Sequence, residues 1–172
     1  MKLDSDDFEL FATERRFAQS RPTLDARWRA LQGEVHPDRF AAQGAAAQRV
    51  AAQWAMRVNE AYGRLKDPLK RAAYLCELNG APIQAESNTA MPPGFLVQQL
   101  EWREALEKAD TPDRIDALAA EMQEQRQTLF ARLETLLDQD HDYAAAARVV
   151  RALMFVERFA HDVDERRAAL EQ

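Results

Sequence analysis

His36 and Asp38, with Pro37 between them, are the side chains of this 172-residue chain whose types and spacing come nearest to chemistry. A carboxylate beside an imidazole can orient it as a base, the arrangement by which a hydrolase activates a nucleophile. That reaction also needs a group to activate and a site for the oxyanion, and no Gly-rich nucleophile elbow or similar motif occurs in the chain. No catalytic residue is assigned on this basis; a hydrolase built on His36 and Asp38 would show turnover by the protein alone. Cys76 is the single cysteine, so neither an intrachain disulfide nor a Cys-rich zinc or iron–sulfur site can form, and no metal or cofactor is expected.

The elements that must position the pair are helices. Leu24, Trp28, Leu31 and Val35 follow the 4-3-4 spacing of one helix face. Pro37 lacks an N–H and pushes the residue before it out of helical conformation, so the helix should stop near Val35 or His36 and leave His36, Pro37 and Asp38 on an exposed turn. Ser20, with Pro22 in the first turn, is its expected cap. Arg21, Arg27 and Arg29 lie on its polar side, among Asp25 and Glu34, either as a solvated face laced by i,i+4 pairs or as a basic strip facing an acidic partner. A short first helix around Phe8, Leu10 and Phe11 precedes it. A third helix, from Ala41 or Ala45 to Lys66, should bury Val50, Trp54, Val58, Ala61 and Leu65, and a fourth should follow Asp67-Pro68 and stop at Asn79-Gly80.

Residues 80–93 gather proline, glycine and small polar residues without a helical period and read as a linker. Beyond it, helices are expected at Phe95–Ala109, from Pro112 to about Asp138 with Thr111 as cap, and from Asp142 to about Leu170. Short connections make these antiparallel neighbours in a three-helix bundle. The first has two apolar faces: Phe95, Trp102 and Leu106 lie within about 40° of one another, whereas Leu96, Leu100 and Val97 point about 100–200° away. The second set either packs on another part of the chain or forms a binding surface rimmed by Glu101 and Glu104. Phe155 lies about 140° from its own helix's stripe of Ala146, Val149, Leu153, Val156 and Ala160, which makes it an expected anchor or interdomain contact.

Charge narrows the partners. The net charge is −6, with 13 Lys and Arg against 11 Asp and Glu in residues 1–79, but 10 against 18 in residues 80–172. An acidic second half argues against nucleic acid. The acidic N-terminus and the lack of any run of eighteen apolar residues argue against a signal peptide or a membrane span, so a soluble cytoplasmic protein is expected.

The succession of amphipathic helix, His36-Pro37-Asp38 turn, long helix, Asn59-Glu60-Ala61-Tyr62, Asp67-Pro68 and Lys70-Arg71-Ala72-Ala73-Tyr74 closely resembles a J-domain, the module by which DnaJ-type co-chaperones engage DnaK-type ATPases. With no Gly/Phe-rich segment, no zinc repeats and a short acidic C-terminal domain, the whole chain resembles the HscB (Hsc20) family of iron–sulfur co-chaperones. Phe95-Leu96-Val97-Gln98-Gln99-Leu100-Glu101-Trp102-Arg103-Glu104 resembles that family's scaffold-binding helix.

The resemblance implies an all-α protein: a J-domain (1–79) that is a helical hairpin with an HPD loop, a linker (80–93) and a three-helix scaffold-binding domain (94–172). It further implies His36, Pro37, Asp38, Arg27, Arg29 and Arg39 as contacts to an HscA/DnaK-type chaperone. Leu96, Val97, Leu100, Glu101, Glu104 and Phe155 become contacts to an IscU-type scaffold. The protein itself would be an ATPase activator and no enzyme; a J-domain co-chaperone for a different client is the alternative. Val35 stands where an aromatic residue commonly precedes the turn, Gly33 and Glu34 weaken and acidify the end of the basic helix, and Val97 replaces a longer methionine-like side chain.

Overall fold

The computed structural model describes residues 2–172, among which every regular element is helical and no helix is long and apolar enough to cross a membrane. The chain divides into two compact units, the first ending at Leu75 and the second spanning Cys76–Gln172.

The first unit is built on an antiparallel pair, α2 (Arg21–Val35) and α3 (Ala45–Lys66), preceded by the short α1 (Asp7–Leu10). Ser20 caps α2 through its hydroxyl, which accepts from the Thr23 N–H at 3.3 Å. Cross-links fix the antiparallel register: the Tyr62 hydroxyl donates to Asp25, the Trp28 indole N–H donates to Asn59 Oδ1 at 3.0 Å, and the Trp28 and Tyr62 rings stack 4.8 Å apart. Phe8, Phe11, Leu24, Val58, Ala61 and Leu65 fill the interior. Each large apolar side chain so buried contributes about 1.5–3 kcal/mol.

The position of α1 depends on a buried charge. The Asp7 carboxylate is wholly inside, 2.8 Å from Arg57 Nη1 and 2.6 Å from Arg64 Nε, both on α3. The Asp7 backbone N–H donates to the Tyr74 hydroxyl at 3.0 Å, on α4 (Pro68–Leu78). Asp67 caps α4 by accepting from the Leu69 and Lys70 N–H groups.

One expectation for α3 is corrected. Val50 is 52% exposed, and its neighbour Ala51 is buried instead. The helix starts at Ala45 behind a Gly44 with φ +98°, and its first turns lie against a 3-10 helix, Pro37–Gln43, rather than against a continuation of α2. The inward stripe is therefore Ala51, Val58, Ala61 and Leu65.

In the second unit, α5 (Phe95–Lys108), α6 (Pro112–Glu134) and α7 (Tyr143–Leu170) form a three-helix bundle. Pairs Asp116–Arg167 and Arg126–Glu157 run α6 antiparallel to α7, and Phe95–Phe155 with Trp102–Phe159 place α5 parallel to α7. Thr111 and Asp142 cap α6 and α7 by accepting from the Arg114 and Ala145 N–H groups. α6 does not run on unchanged to Asp138: residues Thr135–Gln139 form a π-helical turn that ends the helix with Leu136 and Leu137 both inside.

α7 is buried on more than one side. Ala146, Val149, Leu153 and Val156 lie inside as their spacing requires, but so do Ala147, Val150, Arg151, Phe155 and Phe159. The stretch 80–93 is fastened to α7 through Arg151, which donates to the carbonyls of Pro82, Ile83 and Ala90. Ile83 is buried, as is Cys76, whose thiol lies 3.8 Å from the Tyr143 carbonyl.

Candidate functional site

Two regions, one in each unit, carry the residues singled out by the sequence. In the first unit α2 ends at Val35, and His36 leaves helical geometry at φ −60°, ψ 127°, as the residue before a proline must. The chain then enters the ordered 3-10 helix Pro37–Gln43 rather than an open loop. His36 is its cap: the Asp38 backbone N–H donates to His36 Nδ1 at 3.2 Å. The Asp38 carboxylate lies 3.6 Å from the same nitrogen, with the His36 and Asp38 side chains 56% and 91% exposed. Nδ1 is thus occupied as an acceptor, and in the neutral ring the proton sits on Nε2.

Arg39 bends back and donates through Nη1 to the Gly33 carbonyl at 2.8 Å, tying the 3-10 helix to the last turn of α2. This bond satisfies one of the carbonyls that a helix end leaves without an intrahelical partner. On α2, Arg21 pairs with Asp25 at 2.9 Å. Asp25 takes its second bond from the Tyr62 hydroxyl instead of from Arg29, and the two bonds, Tyr62 first, hold its carboxyl below the usual carboxylate range. Arg29 remains exposed and Arg27 half-buried. An open apolar cavity of about 340 Å³, lined by Val35, Phe40, Ala47, Val50 and Trp54, adjoins the turn.

Among the described residues, the His36 ring is partnered by Asp38 alone, through its backbone N–H and its carboxylate. No three of His, Cys, Asp and Glu among the described residues converge in a way that could hold a metal ion.

In the second unit α5 is two-faced, as its spacing predicts. Phe95 and Trp102 are buried, Trp102 to 1% exposure with its indole N–H donating to Glu121 at 3.1 Å. On the outer side Leu96, Val97 and Leu100 are 67, 58 and 57% exposed. Three large apolar side chains within five residues of one helix make a contiguous apolar patch with no partner in the unit's own core. Glu101 and Glu104 are exposed beside them, and Lys108, 2.6 Å from Glu104, holds the Glu104 carboxyl below its ordinary pKa. Gly94, at φ +81°, supplies the left-handed turn from which α5 starts.

Phe155 requires a correction. It is not an exposed anchor: its ring is 7% exposed and packs within the bundle, 5.9 Å from Phe95, 6.4 Å from Trp102 and 5.7 Å from Phe159. The helical angle of about 140° from the α7 stripe is real, but that stripe serves α6, and α7 turns a second face to α5. Phe155 therefore supports the α5 helix from beneath. Arg103, not singled out by the sequence, lies 5.5 Å from the centroid of the Phe155 ring and closes the cluster from outside. A charged residue beside the outer apolar set gives no periodic signal of a contact to a ring on another helix.

Comparison with known proteins accords with this arrangement. A family model described as the HSCB C-terminal oligomerisation domain matches residues 91–164. The "Co-chaperone protein HscB homolog" of Burkholderia mallei is 52% identical over 166 residues, covering 95% of this chain and 94% of its own; that of Burkholderia multivorans matches to the same extent. Among solved structures, the chaperone HscB from Vibrio cholerae is 33% identical, with a TM-score of 0.80 over 96% of this chain and 99% of that one. Human co-chaperone protein HscB, 23% identical, shares the fold with a TM-score of 0.87 over 96% of this chain and 83% of its own. A J-domain with its His-Pro-Asp turn and a helical bundle, matched over 95% of the chain at this level of identity, makes the chain a member of the HscB co-chaperone family.

Proposed function

We propose that this protein binds an IscU-type iron–sulfur scaffold through α5 and presents it to an HscA/DnaK-type chaperone, whose ATPase it stimulates through the His36-Pro37-Asp38 turn. The observation that carries the reading is the outer face of α5, where Leu96, Val97 and Leu100 stand exposed over a tightly packed aromatic support. An apolar patch held rigid from below loses little conformational entropy when a partner covers it. Glu101 and Glu104 border the patch and favour a partner with basic residues at its rim.

The two interactions reinforce each other. A scaffold held on α5 while the turn engages the chaperone is loaded in an effectively intramolecular step. Stimulation follows if the turn, with Arg27, Arg29 and Arg39 as steering charges, binds one state of the chaperone better than another. The protein supplies no reacting group; the cluster is cargo on the scaffold, and the work takes place in the cytoplasm.

The test is ATP hydrolysis by a purified HscA-type chaperone with and without this protein and an IscU-type scaffold. Stimulation that rises further with scaffold and is lost in His36→Gln supports the reading. Stimulation indifferent to scaffold assigns the J-domain to another client, and hydrolysis unchanged by the protein overturns the proposal.

A further inference from the structure

α7 carries a buried guanidinium that, among the described residues, is paired with no carboxylate. Arg151 is 6% exposed, and its Nε, Nη1 and Nη2 donate to the carbonyls of Ile83 at 2.9 Å, Ala90 at 3.0 Å and Pro82 at 3.3 Å. Carbonyl oxygens satisfy donors but bring no net charge, so the electrostatic penalty of burying the cation is only partly offset. Three bonds also leave two of the five N–H donors of a guanidinium unused. Burial accordingly lowers the Arg151 pKa from its ordinary value.

An open cavity of about 300 Å³ adjoins this group, lined by Pro82, Gln84, Asn88, Ala144, Arg148 and Arg151 among others. Both charged residues in its lining are arginines and none is acidic, although residues 80–172 hold 18 Asp and Glu against 10 Lys and Arg. Arg148 is exposed and, among the described residues, in no ion pair. The Oδ1 of Asn88 is taken by the Ala90 N–H at 3.0 Å, which leaves its amide nitrogen as the remaining donor. The turn that presents Asn88 is pinned by the Gln84 carbonyl, which accepts from the Ser87 and Asn88 N–H groups, even though Gln84 itself sits at φ +47°.

We propose that this cavity binds a compact oxyanion, with the buried Arg151 at its floor and Arg148 and Asn88 at its mouth. Two cations and an amide donor without a carboxylate suit a doubly charged, many-acceptor ion such as inorganic phosphate better than a singly charged carboxylate. A bound ion joins α7 to the stretch 80–93, and so stabilises the segment that leads into α5 at Gly94. The site shares no residue with the turn or with the α5 face, and its existence is independent of scaffold binding and chaperone stimulation.

The experiment is calorimetric titration of the full chain with inorganic phosphate, acetate and chloride at constant ionic strength, accompanied by thermal melts. Saturable phosphate binding, weaker for acetate, with a rise in melting temperature, is the expected result. Arg148→Ala, an exposed position that leaves the fold intact, should weaken phosphate binding about tenfold, the effect of losing one charge-assisted contact. Equal responses to all three ions, or phosphate binding unchanged in Arg148→Ala, overturn the proposal. Arg151→Lys, which keeps the charge but not the fork of three carbonyl bonds, should weaken binding as well; the Arg148 variant decides the matter should Arg151→Lys fail to fold.

Discussion

The two nitrogens of the His36 ring have different work. Nδ1 accepts from the Asp38 N–H and so caps the 3-10 helix, which leaves Nε2 as the donor of the neutral ring. Substitutions can separate the two. In His36→Asn the side-chain oxygen replaces Nδ1 in the cap and nothing replaces Nε2; in His36→Gln the amide reaches farther but sits poorly for the cap. Asparagine should therefore hold stability within about 0.5 kcal/mol of wild type and glutamine should cost about 1 kcal/mol, the usual worth of a cap. Both should lose stimulation of the chaperone ATPase. Urea melts set beside ATPase rates read the two effects apart, and an Asn variant that stimulates like wild type would show that the cap alone is what the turn requires.

At the scale of elements, the contrast lies between the top and the underside of α5. Leu96→Ala with Leu100→Ala removes exposed surface, so the melting curve should move by no more than about 0.5 kcal/mol, while binding to an IscU-type scaffold weakens by at least about tenfold. Phe155→Ala empties a buried aromatic cluster and should destabilise the protein by about 3–5 kcal/mol. A Leu96/Leu100 variant that binds scaffold normally would remove α5 from the interface. Helix starts are legible at Ser20, Thr111 and Asp142 because a cap is a local bond between residues three apart. The same holds for the stop before Pro37 and for the two faces of α5. Phe155 and Val50 mislead because a helical wheel gives angles within one helix but not how many neighbours that helix must serve. The π-helical turn at Thr135–Gln139 and the grip of Arg151 on residues 82–90 depend on contacts 60 or more residues apart or on ladder shifts, to which periodicity is blind.

For the molecule as a whole, charge is distributed by unit, with 13 Lys and Arg against 10 Asp and Glu up to Leu75 and 10 against 19 from Cys76 onward. Exposed charges away from the centre of a contact act mostly on association rate. Replacing Arg27 and Arg29 together by Gln should slow association with the chaperone about tenfold at low salt and leave dissociation nearly unchanged. The difference should vanish near 1 M salt, where the screening length is about 3 Å. Stopped-flow association across a salt series measures it, and parallel salt curves for the two proteins would mean that these arginines do not steer.

The placing of Cys76 has a consequence for the sulfur chemistry open to this chain. The thiol is fully buried, and burial pushes its pKa up to about 12. Metal capture and attack on a persulfide both require a thiolate, the form that the burial of Cys76 disfavours. The single cysteine thiol of the chain is thereby held protonated and out of reach, which disfavours both metal ligation and oxidation at this sulfur.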